Sequence, residues 1–76
     1  MTQENLSQKE INGKNLKNLL RHMNYTQETL AGLLFVDERT VGRWVQNGID
    51  KISLLEDIAE VLGVGLKDIM FPEKED

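Results

Sequence analysis

The stretch "VDERTVGRWVQNG", residues 36–48, puts Glu38, Arg39 and Arg43 on one side of a helical pattern and Val41, Trp44 and Val45 on the other. These charged types can do a particular kind of chemistry. An arginine bonds guanine through two acceptors at once, and a glutamate accepts from the cytosine amino group. Gly42 between them would let a helix backbone come close to a groove wall. The plain alternative is a solvated charged face, which is what most charge runs are. The choice depends on the elements that hold this stretch in place.

Helical spacing accounts for nearly the whole chain. β-Branched alternation is absent, and the single proline is Pro72. A first helix is expected from about Asn12 to Met23, with Leu16, Leu19, Leu20 and Met23 at helical intervals and Asn24 as a left-handed cap. Ser7 and Glu10 offer a capping box for an earlier start, but that start would leave Gly13 in mid-helix. Thr26 caps a second helix that ends near Leu33 or Leu34. Asp37 caps a third, which runs to about Gln46 and stops at Asn47-Gly48. A fourth covers about Ile52 to Leu62, with Ile52, Leu55, Ile58, Ala59 and Leu62 inward and Gly63 at its end. A short fifth spans Leu66 to Met70. The fold class is therefore all-α, a compact five-helix orthogonal bundle.

"FVD" is all that joins the second helix to the third. So short a connection makes two helices cross steeply, and that crossing is the helix-turn-helix unit. Ala31 is small at the close approach, and Val41 and Trp44 fill the space beneath. Trp44 reads as core because Val41 and Val45 share its face, and His22 as an ordinary surface residue. The third helix must then show Glu38, Arg39, Gly42, Arg43 and Gln46 to solvent, as major-groove reading requires.

Composition limits the other function classes. With no Cys and one His, neither a nucleophile–base pair nor a metal cluster is visible, so no enzyme, cofactor or metal is expected. The apolar runs are short, and "MTQENLSQKE" lacks the basic start and apolar stretch of a signal peptide, so no membrane role is expected and a cytoplasmic location is. The net charge of −4 argues against a nucleic-acid partner. Its distribution argues otherwise. Between Lys14 and Lys51 six basic residues outnumber four acidic ones, while from Ile52 onward seven acids meet only Lys67 and Lys74. Lys14 and Lys17 on the first helix are candidate phosphate contacts on charge alone.

The segments "TQETLAGLL…VDERTVGRW…NG" and "LEDIAEVLGVGLKDIMF" resemble the phage-repressor (Cro/CI-type, Xre-like) helix-turn-helix domain, the lambda-repressor-like fold, over about Ile11 to Phe71. The resemblance implies a domain over 11–71, with 1–10 a flexible N-terminal segment and 72–76 an acidic tail. It implies that Gln27 contacts a phosphate and sometimes a base, that Thr40 and Asn47 touch phosphate, and that Glu38, Arg39 and Arg43 read bases. It further implies a homodimer on a pseudo-palindromic operator in double-stranded DNA, acting in transcription regulation, typically repression.

Three features depart from that family. Phe35 stands where the turn often has Gly, and left-handed geometry would cost a Phe roughly 1–2 kcal/mol, which leaves open whether the turn keeps its usual build or takes another. Leu20 and Val45 replace a frequent Arg–Glu pair, an exchange that is often neutral or stabilising. "NGIDKI" replaces a basic, Pro-containing loop and weakens the expected backbone grip. This last departure and the net acidity favour an alternative function: a protein-binding module of antitoxin, anti-repressor or DNA-mimic type. The stripe Leu66, Ile69, Met70 and Phe71 either closes the core or gives part of itself to a dimer contact.

Overall fold

The computed structural model describes residues 7–71. Most of the N-terminal segment and the acidic tail, residues 1–6 and 72–76, lie outside the described residues. Five helices follow in order: α1 Gln8–His22, α2 Gln27–Leu34, α3 Glu38–Asn47, α4 Ile52–Leu62 and α5 Leu66–Met70. No strand occurs among the described residues, and no helix there is long and apolar enough to cross a membrane.

α1 begins at Gln8, four residues earlier than expected. Ser7 and Glu10 form the capping box after all, with Ser7 N–H donating to Glu10 Oε1 at 3.0 Å. Gly13 does sit in mid-helix, and tertiary packing explains it. A Cβ there would stand 2.6 Å from the Trp44 carbonyl oxygen and 3.1 Å from the Gly48 Cα. The ~1 kcal/mol that a helical glycine costs relative to alanine is offset by the close approach of α1 to the end of α3.

α1, α2 and α4 end in the same way. A left-handed residue follows each helix, and the next amide bonds back five residues: Tyr25 to Leu20 at 2.9 Å, Val36 to Ala31 at 2.9 Å, Val64 to Ala59 at 3.0 Å. This is the Schellman motif, which satisfies carbonyls left open at a helix end. The left-handed residues are Asn24, Phe35 and Gly63, with φ of 60°, 59° and 73°. Of the two builds left open, the turn between α2 and α3 takes the usual one, and Phe35 simply adopts the left-handed conformation. Its side chain is 93% exposed and offsets little of that strain.

The core is formed by Leu16, Leu20, Leu30, Ala31, Val41, Leu55, Ile58, Ala59, Leu62 and Ile69, with Ile49 added from the loop after α3. Leu19, Met23, Trp44 and Val45 pack against it half-buried. Ile52, expected inward, is 47% exposed. As the first residue of α4 it directs its Cβ toward the helix N-terminus and past the end of the core. The stripe of α5 divides: Ile69 is buried, Leu66 and Met70 are half-buried, and Phe71 is exposed.

The shared turn geometry yields a paired test. A Cβ at Gly63 would meet nothing within 4 Å, so Gly63→Ala isolates the left-handed cost and is expected to lower stability by about 1 kcal/mol. Phe35→Gly removes that cost and is expected to raise stability by about 1 kcal/mol. Urea unfolding of both variants measures the two shifts. A loss for Phe35→Gly would mean that the ring is packed in solution.

Candidate nucleic-acid interface

α3 owes its orientation to its two faces. Val41 is fully buried against the core, and Trp44 and Val45 flank it half-buried. Asp37 caps the helix, its Oδ1 accepting from Arg39 N–H at 3.1 Å. Glu38 opens the first turn, where a negative charge is favourable beside free amides. On the outward face Glu38, Arg39, Arg43, Gln46 and Asn47 are exposed.

Five of the residues singled out in the sequence converge. Gln27, Glu38, Arg39, Gly42 and Arg43, together with Gln46, line an open cavity of about 390 Å³ on this face. Gly42 is half-buried, and a Cβ there would stand 3.3 Å from Gln27 Oε1. Its small size makes room for the first side chain of α2. The charged groups are weakly held. Arg43 Nη2 reaches Thr40 Oγ1 only at 3.4 Å, and Arg39 meets Asp37 at 3.8 Å with both side chains mostly exposed. An ion pair so exposed contributes at most about 1 kcal/mol and a hydrogen bond so long contributes little, so either guanidinium is readily given up to a better acceptor.

Thr40 and Asn47 stand apart from the cavity lining. Thr40 is half-buried and faces Arg43 through its hydroxyl, and Asn47 is exposed at the end of α3. Lys14 and Lys17 line a second cavity of about 320 Å³ with Asn18, Arg21, Val45 and Gln46. A third, of about 210 Å³, carries Lys17 and Arg21 on to Thr26 and Gln27 at the start of α2. Gln46 and Gln27 thus border the reading face from both sides. The three cavities share Lys17, Arg21, Gln27 and Gln46 among their linings, which carry Lys14, Lys17, Arg21, Arg39 and Arg43 against Glu38, with the Asp37 carboxylate also beside Arg39.

Arg21 was not singled out in the sequence, and Gln46 only as solvent-facing, yet both line these cavities. A signal for Arg21 was present: it follows Lys17 by four residues and Lys14 by seven, the interval of one helical face. Gln46 lines the cavity of α2 and α3 and, because of where α1 lies, the cavity of Lys14 and Lys17 as well. If this surface tracks phosphates, Arg21→Ala and Lys17→Ala should each lower the slope of log affinity against log salt by about one unit on any duplex. Lys67→Ala, on a lysine lining none of these cavities, should leave the slope unchanged. Binding isotherms at several salt concentrations measure it, and equal slopes for all three variants would remove α1 from the interface.

Residues 15–75 match the profile of the Cro/C1-type HTH DNA-binding domain. No curated protein and no solved structure matches the chain.

Proposed function

Since the chain belongs to the Cro/C1-type helix-turn-helix DNA-binding family, we propose that it is a transcriptional regulator that reads a specific operator by laying α3 in the major groove. The observation that carries this reading is the continuous basic surface running from α1 across α3 in a chain of net charge −4. Glu38, Arg39 and Arg43 are the base readers. Gln27, Thr40, Gly42, Asn47, Lys14 and Lys17 meet the backbone or the groove wall, and Arg21 joins them.

Residues near the start of a recognition helix reach base edges most directly, so Glu38 and Arg39 take one position and Arg43 the adjacent base pair. A carboxylate in the groove is repelled by phosphates and finds only amino groups to bond. Its value lies in excluding other bases. Selection from a random duplex library should enrich one motif. On that operator Arg43→Ala should cost about 1–3 kcal/mol, and much less on random DNA. Glu38→Gln should relax the choice at one position while raising affinity overall. A uniform loss for Arg43→Ala over all single-base variants would demote Arg43 to a phosphate contact.

One recognition helix covers too few bases to be selective. Two copies related by a two-fold axis, with half-sites about 34 Å apart, supply the remainder. The α5 segment Leu66–Phe71 or α4 provides the contact, and the 64% exposure of Phe71 favours α5. Displacing one half-site by half a helical turn should abolish tight binding, as gel-shift titration would show. Equal binding to the displaced site would exclude the dimer.

A second reading, a protein-binding module on the same fold, is favoured by the acidity of the chain and by the weakly charged loop "NGIDKI". The library selection separates the two. Failure to enrich any sequence moves the function to a protein partner, whereas binding that falls steeply with salt keeps it on DNA.

A further inference from the structure

We infer that Gln8 and Asn12 are positioning residues of the DNA interface, forming a relay that ties the loop after α3 to the carboxyl end of α5. The inference rests on the reading that α3 and the residues following it face DNA. Asn12 is the one buried polar side chain among the described residues, 2% exposed. Its Nδ2 donates to the Ile49 carbonyl at 2.8 Å, and its Oδ1 accepts from Gln8 Nε2 at 2.8 Å. The same Gln8 nitrogen donates to the Met70 carbonyl at 3.1 Å. Asn15 donates in parallel to the Ile69 carbonyl.

The chemistry fixes the direction of this chain of bonds. A primary amide has two protons and one oxygen, so an asparagine can present either end to a carbonyl. Gln8, acting as donor, claims the Asn12 oxygen and leaves the nitrogen to face Ile49. Gln8 can do this while its second proton is held by Met70. A buried carbonyl without a donor costs free energy, so the three groups keep or lose their arrangement together.

The loop they hold is closely set against α1. Ile49 N–H donates to the Lys9 carbonyl at 3.0 Å, so both polar groups of Ile49 are held by α1. Gly48 has φ of 104°, and a Cβ there would collide with Lys9. Asn47, the proposed phosphate contact, immediately precedes this pair and ends α3. α1 packs against both α3 and α5 and is the element through which the two ends communicate.

The decisive variant is Gln8→Glu, in the full chain. It keeps the length of the side chain and places an acid in the first turn of α1, where it favours the helix, but removes both donated protons. Gln8→Leu removes them without adding charge. In both variants the Ile49 amide is expected to exchange with solvent at least tenfold faster at temperatures where the chain is folded, while amides of α2 keep their protection. Affinity for a random-sequence duplex is expected to fall three- to tenfold in Gln8→Leu. Unchanged exchange at Ile49 would overturn the relay, and so would a parallel rise across α2, which would signal general loosening. Faster exchange with undiminished duplex binding would overturn its role at the interface. If the unaltered chain binds no duplex, the proposed function fails, and exchange at Ile49 still decides whether the relay exists.

Discussion

The approach of α1 to the last turn of α3 governs the rest of the molecule. At Gly13 the two backbones come so close that a single carbon would stand 2.6 Å from the Trp44 carbonyl oxygen. That contact helps a chain of 76 residues bury a core without staples, since Leu16 and Leu20 of α1 share one core with Val41 of α3 and Ile49 of the loop after it. It also sets the interface. Lys14, Lys17 and Arg21 come to lie beside Gln46 because α1 is seated there, and a wider spacing would separate the basic strip from the reading helix.

The acidity of the chain and its basic surface are compatible because charge acts locally in salt water. None of the acids of α4 and α5 lines the three cavities. The shortest dimension of the molecule is 22 Å, and fields are screened over about 8 Å at physiological ionic strength. Charges separated by more than that length barely affect each other. Net charge then bears on solubility and long-range encounter, and the partner is chosen by the groups within a few ångströms of contact.

Much of the fold was legible because its signals are local. Thr26, Asp37 and Gly63 mark helix ends through hydrogen bonds or torsions that involve only near neighbours, and those ends were placed within a residue or so. What was not legible has two causes. Gly13 and the pair Asn12 and Ile49 depend on contacts distant in sequence, whereas Phe35 and Ile52 depend on local backbone conformation and on position at a helix end. Gly13 argued locally against a longer α1, and only the Trp44 carbonyl explains it. Asn12 and Ile49, one polar and one in a loop, give no sign of burial until α1 and the loop are brought together. Ile52 fitted the apolar period yet lies beyond the core. At the candidate site the exposed charged face was visible from α3 alone, and Gln27 and Lys17 were singled out from resemblance and charge. The part of Gln46 required the packing of two helices.

The anchoring of Ile49 bears on how the chain would meet a partner. A loop held at both its amide and its carbonyl has lost its conformational freedom during folding and does not lose it again on contact. The recognition helix and the residues after it are thus presented as a preformed surface. Association would then carry the thermodynamic signature of two rigid bodies. The heat-capacity change would scale with the surface they cover, without the excess that accompanies a segment folding onto its target. Variation in affinity among sequences would fall on the DNA, whose own stiffness would have to supply whatever adjustment the fit requires.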